Sequence, residues 1–469
     1  MPVTRLLIFA FPWLTFSGHK REYMKAYIPF LFFAFLLNSL VACTESDSVY
    51  VEPRLAVVSY PDSVAFTWTQ TANFQQGIEV LWQDSIYQVA MDTTGFLALP
   101  YAADFTIDPR DHLGLKEVSL RFDPLLSGSE LWQHQIAQMI LVGVRGQHAD
   151  EDPDLLSSIQ RDRVGGILVF EKNLTKTQSE ENLRTMIETF QSAHTRLPLI
   201  VSIDQEGGKV NRLKEKYGFP ASVTASFLGE RNDLELTYEH GRRTAKTLRS
   251  LGINVNFAPV VDLCKNPNNP IIAKYGRCYS DDPEVVAQHA LQTIKGHHDF
   301  GVQTVIKHFP GHGSSHADTH EGMADVTQYW GPEEIQPFRS IIDSGYCDAV
   351  MTAHIINYQL NPDSLPATLS KKVNGEILRG DLGFGGLIFS DDMQMKAISE
   401  QYGWEEAIDL AVNSGVDVLI FSNNIAGVDE QTIDEVYRVF ELLLNTGRIT
   451  PERLDASYQR IVSFKRRFP

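Results

Sequence analysis

"QTVIKHFPGHGSSHADTH", residues 303–320, begins as an apolar run and turns into a loop crowded with histidine. His308, His312, His316 and His320 stand four apart. On a helix that spacing would stack the imidazoles on one face and suggest a metal site. Pro310, Gly311 and Gly313 sit in the middle of it. An interior proline costs a helix roughly 3 kcal/mol, and each glycine roughly 1. The segment therefore reads as a strand followed by a loop, the four-residue spacing as accidental, and no metal is expected. What matters is that a strand ends in polar residues.

Other strands do the same. "MILVGV" (139–144), "GGILVF" (165–170), "LPLIVSI" (197–203), "INVNFAPV" (253–260), "DAVMTAH" (348–354), "GGLIFS" (385–390) and "VDVLIF" (416–421) join "QTVIKH" (303–308) as short apolar runs. Helical segments such as 282–300 and 332–344 lie between most of them. Eight such runs alternating with helices predict a (β/α)₈ TIM-type barrel over residues 116–469. An open doubly wound sheet is the competing fold, but no G-x-G-x-x-G follows the first strand. Asp204, Asp262, Lys307 with His308, His354, and Asp391 with Asp392 fall at strand ends. In a barrel of this type those ends build the active site. Any one of them is explained by a helix cap or a loop anchor; five ends together point to one mouth.

The rest of the chain reads differently. Residues 50–107 alternate apolar and polar in "RLAVVSY", "SVAFTWTQ", "GIEVLWQ", "SIYQVAM" and "GFLALPY". This predicts a small all-β domain which, with its polar tether, spans 44–115. Ahead of it, "YIPFLFFAFLLNSLVAC" follows Lys20, Arg21 and Lys25 and ends at Cys43. A charged stretch followed by a short apolar run is the pattern of an export signal, and is short for a membrane span. Leu40-Val41-Ala42-Cys43 resembles a bacterial lipobox, which implies a 1–43 signal peptide, a true start at Met24 and a lipid on Cys43. The expected location is the periplasmic face or outer membrane of a bacterium, with Thr44 favouring the latter.

The chain has 469 residues, 43% of them hydrophobic and 21% charged, with a formal net charge of −18. That balance is globular and too acidic for a nucleic-acid backbone as partner. Beyond Cys43, only Cys264, Cys278 and Cys347 remain. An odd count without framework spacing argues against a disulfide-stapled fold and favours free buried cysteines, while leaving room for one bridge such as Cys264–Cys278.

Several motifs bear a family resemblance. "DQEGGKVNRL" (204–213), "KHFPGHG" (307–313), "DTH" (318–320), "MTAHI" (351–355), "PATLS" (366–370) and "SDDMQMKAI" (390–398) resemble those of glycoside hydrolase family 3, in its β-N-acetylhexosaminidase branch. The likeness covers about 120–465, in matching order. It implies an exo-acting retaining enzyme that releases terminal β-linked N-acetylglucosamine from peptidoglycan fragments or chitooligosaccharides, with no cofactor. In such a mechanism a carboxylate attacks the anomeric carbon and water later releases the sugar. Asp391 matches the nucleophile; alternation along a strand would turn Asp392 to the other face. His320 matches the acid/base and Asp318 its partner, an arrangement that suits an imidazole titrating near neutral pH. If His320 were structural, Glu206 is the next acid/base candidate. Asp204, Arg212, Arg277, Lys307 and His308 match the sugar contacts, and His312 a loop support. His316 matches no role.

Departures from the family pattern are Lys209 for arginine, Asn211 for glutamine, Ser314-Ser315 for Asp-Thr, and Cys278-Tyr279 for Ser-Phe. They bear on aglycone and N-acetyl preference. A β-glucosidase or a phosphorylase of the same family is one alternative, since a histidine acid/base does not repel phosphate. A non-catalytic carbohydrate-binding lipoprotein is another.

Overall fold

The computed structural model describes residues 128–193, 197–424 and 432–468 and, among the first 127, only short strands. The signal segment, Cys43 and the small all-β domain expected over 44–115 lie outside the described residues, those strands apart. The chain divides into two compact units, Met1–Gly128 and Ser129–Pro469.

The second unit holds a closed eight-stranded barrel. Its strands are β1 (Ile140–Gly143), β2 (Gly166–Val169), β3 (Ile200–Ile203), β4 (Val255–Asn256), β5 (Gln303–Phe309), β6 (Ala349–Thr352), β7 (Leu387–Asp392) and β8 (Val418–Phe421). Neighbours pair in parallel all the way round, and Ile140 opposite Leu419 closes the ring. Every strand lies inside or across its expected run. The runs are continuously apolar because a parallel sheet is covered on both faces, and β1, β2, β3, β6 and β8 are buried throughout. Inside the ring Phe257 meets Phe389 edge to face, ring centres 5.5 Å apart.

Two strands depart from their expected spans for local reasons. β4 is regular only over Val255–Asn256; beyond it Pro259 has no N–H to give the ladder, and single bonds carry the pairing on, from the Phe257 N–H to the Ile203 carbonyl, from the Val305 N–H to the Ala258 carbonyl and in a bridge between Val260 and Lys307. β7 runs on to Asp392. The register also shifts between Ile306 and Phe309 on β5, and between Phe389 and Asp392 on β7. A bulge of this kind re-aims side chains that strict alternation would send to opposite faces.

Helices cover the ring. Pro283–His298 starts at Asp282, whose side chain accepts the Glu284 N–H, with Pro283 at the first helical position. It buries Val286, Ala287, Ala290 and Ile294. The expected helix 332–344 is a 3₁₀ turn (Pro332–Ile335) leading into Gln336–Asp343.

The cysteines correct the expectation of free thiols. Cys264 and Cys278 are joined in a disulfide, and only Cys347 among the described residues is free. The intervening loop folds back so that the Cys264 N–H donates to the Ser280 carbonyl at 2.9 Å, which brings the two Cα atoms within 5.6 Å. That lies in the range a bridge needs, and no spacing in sequence reveals it.

Candidate active site

At the C-terminal ends of the strands lies a cavity of about 240 Å³. Asp204, Glu206, Arg212, Arg277, Lys307, His308, His320, Asp391 and Asp392 line it, with Phe170, Phe257, Ile271 and Met395 as apolar wall. Each expected site residue of the barrel is thus brought to one place, except Asp318, which reaches it through His320. No group of three or more metal-ligating side chains is assembled among the described residues.

Asp391 and Asp392 both line the cavity, so lining alone does not tell them apart. Their hydrogen bonding separates them instead. Asp392 accepts the N–H groups of Gln394 (3.1 Å) and Ser422 (3.2 Å), and the Ser422 hydroxyl. Burial pushes its carboxyl up to about 6 despite those bonds. Asp391 accepts one hydrogen bond, from the Asp392 N–H at 2.8 Å. Burial alone would raise its pKa, but His354, His308 and His320 outweigh it and hold Asp391 below the ordinary carboxylate value. Asp391 is therefore the ionised carboxylate with free lone pairs, and Asp392 is part of the frame.

His354, a strand-end residue, braces that frame. Its Nε2 donates to the Asp392 carbonyl at 2.9 Å, and its Nδ1 meets the Thr368 hydroxyl at 2.8 Å. Thr368 belongs to "PATLS", which gives that motif a structural role behind the β7 end.

The loop after β5 carries the imidazoles. Asp318 accepts both the backbone N–H (2.9 Å) and Nδ1–H (2.8 Å) of His320 through one oxygen. This fixes the ring and leaves Nε2 for proton transfer. His320 is 58% exposed, open to an incoming ligand. His312 is buried and held neutral, its pKa pushed down to about 4 by desolvation. Its N–H donates to Asp262 at 2.8 Å, in keeping with loop support. His316 is exposed and packs on Tyr329, ring centres 4.0 Å apart.

Opposite stands a wall of paired charges. Lys307 Nζ lies 2.7 Å from both Asp204 Oδ1 and Glu206 Oε1, and Arg212 Nη2 is 3.4 Å from Asp204 Oδ2. Arg277 grips Glu206 through two bonds of 2.7 Å and gives a further one to the Ile271 carbonyl at 3.1 Å. Much of the Arg277 fork is thus spent within the protein. Glu206 is nearly buried, and although burial would raise its pKa, Arg277 and Lys307 hold it far below the carboxylate range. A carboxylate pinned in its charged form cannot donate a proton at neutral pH, which removes Glu206 as an alternative acid. Arg212 Nε, by contrast, is buried without a hydrogen-bond partner, an open donor beside the cavity. The turn carrying these residues needs Gly207 at φ +103°: a Cβ there would stand 2.2 Å from the Val223 carbonyl oxygen.

Two supports had no signal in the sequence beyond position. Asp262 sits fully buried under His308, accepting its Nδ1–H at 2.7 Å and its N–H at 3.2 Å, while Nε2 meets the Arg277 guanidinium at 3.4 Å. Glu334, from the 3₁₀ turn, reaches beneath the His312 loop and accepts the Gly313 N–H at 2.9 Å. Desolvation pushes its carboxyl up to about 7. Asp262 was findable as a strand-end carboxylate; Glu334 was not, since a glutamate at a helix start is ordinary.

The glycosyl hydrolase family 3 N-terminal domain model matches residues 131–464. Beta-hexosaminidase A of Pseudoalteromonas piscicida is 32% identical over 336 residues, 68% of this chain and 56% of its own length. A beta-hexosaminidase of Tolumonas auensis is 35% identical over 294 residues, covering 61% of this chain and 84% of its own. Among solved structures, a family 3 beta-N-acetylglucosaminidase from Paenibacillus superposes with a TM-score of 0.66 at 35% identity, over 71% of this chain and 62% of that one. A beta-N-acetylhexosaminidase from Beutenbergia cavernae gives 0.65 at 27% identity, over 73% of this chain and 99% of that one. This chain thus spans little more than half of the first relative and most of the second. With a match over nearly the whole barrel, and the order of its motifs kept from strand to strand, this chain belongs to glycosyl hydrolase family 3.

Proposed function

We propose that the protein is an exo-acting retaining β-N-acetylhexosaminidase that releases terminal β-linked N-acetylglucosamine. The observation that carries this is Asp391: an ionised carboxylate with free lone pairs, in a cavity also lined by the His320 imidazole. Asp391 attacks the anomeric carbon while His320 gives its Nε2 proton to the departing glycosidic oxygen, so the C–O bond breaks as the glycosyl-aspartate ester forms. His320 then takes a proton from water, the water attacks the same carbon, and Asp391 leaves as carboxylate. Asp318 orients the ring through its Nδ1. Asp204, Lys307, Arg212 and His308 read the hydroxyls of one sugar, since charged partners make short, directional bonds. A cavity of about 240 Å³ suits a single ring, which supports exo action. The relatives named beta-hexosaminidase support the N-acetyl reading.

The lipobox-like Leu40–Cys43 supports export and anchoring at the membrane through Cys43, with peptidoglycan fragments or chitooligosaccharides as substrates. Cys43→Ser should move the protein from the membrane to the soluble fraction; an unchanged partition removes the anchor.

Turnover of an aryl N-acetylglucosaminide beside the aryl glucoside tests the activity. The expected result is preference for the amino sugar with the same product in the presence and absence of phosphate. Faster glucoside cleavage, or a sugar phosphate as product, would replace this reading by a β-glucosidase or a phosphorylase. No turnover of either would leave a carbohydrate-binding lipoprotein.

A further inference from the structure

The loop between β4 and the helix Pro283–His298 closes on itself through Cys264, just past Asp262, and Cys278, next to Arg277. Around the bridge Ile271, Ile272 and Cys278 form a small apolar cluster of their own, apart from the main core of the barrel. The polar side of the loop reaches the segment that carries the histidines. Asn269 Nδ2 donates to the His312 carbonyl at 2.8 Å, and its Oδ1 accepts the N–H groups of Ile271 (3.0 Å) and Ile272 (2.8 Å). Asn266 Nδ2 donates to the Ser315 carbonyl at 2.8 Å. Arg277 closes the loop from the other end, its N–H on the Ile272 carbonyl at 3.1 Å and its guanidinium on Glu206.

We propose that the Cys264–Cys278 disulfide is a positioning element of the active site, closing one loop that holds Arg277 against Glu206 and the His312–His320 segment over the cavity. The inference rests on the proposed roles of that cavity. A cross-link over a sequence separation of 14 removes open-loop conformations that the small cluster cannot exclude by itself. The cost of losing it is geometric, and a misplacement of about 1 Å costs catalysis on the order of 100-fold.

The test uses the full chain and the variant Cys264→Ala/Cys278→Ser, which removes the bridge at both ends. Hydrogen exchange followed by mass spectrometry gives a readout independent of activity. Amides in 264–280 and 307–320 should exchange at least roughly 10-fold faster in the variant, while those of β1, β2 and β8 stay protected. Activity should fall roughly 10–100-fold in kcat/KM. In an Arg277→Ala background the bridge should cost less than half as much on a logarithmic scale, because part of its effect runs through Arg277. If the variant does not fold, the native protein is treated with dithiothreitol. Two additional titratable thiols mark reduction: the reagent becomes a cyclic disulfide and the protein gains two cysteines. Unchanged exchange in 307–320 with both thiols free, or a cost that adds in full to that of Arg277→Ala, overturns the proposal. Wild-type protein that cleaves no aryl glycoside refutes the proposed function instead, and the exchange data then decide the role of the bridge alone.

Discussion

At the floor of the barrel Asp417, just before β8, accepts bonds from Arg379 (2.6 Å), Arg460 (3.0 Å), Ser457 (2.8 Å) and the Ile388 N–H (3.0 Å). At the mouth Asp391 accepts a bond from the Asp392 N–H and faces three imidazoles without bonding to any of them. Asp391 lies near the end of β7 and Asp417 directly before β8, two barrel strands that are buried over most of their length. Asp417 ties helices to strands, and its lone pairs are filled. Asp391 keeps lone pairs open in a site where burial by itself would neutralise it. An unfilled carboxylate held charged by its surroundings is the arrangement a nucleophile needs, and one that folding alone would not favour. Asp392, with its bonds to Gln394 and Ser422, resembles the floor although it stands at the mouth.

The largest expected effect comes from deleting the open carboxylate. Asp391→Ala should lower kcat roughly 10⁴-fold or more on every substrate, because the covalent step is lost. Its melting temperature should fall only slightly, because Asp391 accepts a single hydrogen bond and the only other support lost is the hold of the neighbouring imidazoles on its charge. A marked loss of stability would mean that Asp391 is framework after all.

Asp417→Ala reverses the pattern. It leaves Arg379 and Arg460 facing an emptied site and should destabilise the fold by about 3–5 kcal/mol. Denaturant melts would measure this, and kcat per folded molecule should stay within about twofold of wild type, as expected for the floor of such a barrel.

His320→Ala should cost roughly 10²–10⁴-fold with a poor leaving group and much less with an activated aryl glycoside. In the second case deglycosylation stalls, and a mass shift on Asp391 should appear in the intact protein. Azide, which needs no base, should restore turnover to this variant and not to Asp391→Ala. Equal losses on all substrates with no adduct would make His320 structural.

The smallest effect concerns the buried Glu334. Its carboxyl is raised to about 7 from the ordinary 4.5, so between those pH values the folded state keeps a proton that the unfolded chain gives up. The contribution is whole below pH 4.5 and lost as pH rises through 7. Comparing Glu334→Gln with wild type isolates it. The variant should lose less stability over that window, by on the order of 1–3 kcal/mol. Parallel curves for the two proteins would show that the Glu334 proton is not coupled to folding.

The barrel was readable because parallel strands covered on both sides must be continuously apolar, and the sequence marks them as short runs from Met139 to Phe421. Polar residues directly after those runs located the mouth, and motif likeness assigned their roles. Fine distinctions were not readable. Asp391 and Asp392 both line the cavity, and only their hydrogen-bond partners tell them apart. Glu206 passes for an acid until Arg277, distant in sequence, is seen to pin it as an anion. The Cys264–Cys278 bridge depended on a loop folding back, and Glu334 on a turn passing beneath Gly313. Sequence by itself determined which side chains are delivered to the mouth, because strand periodicity and strand ends are local properties of the chain. Only the tertiary structure decided which carboxylate stays free and charged, because ionisation and hydrogen-bond filling depend on neighbours that the closed barrel brings together from far along the chain.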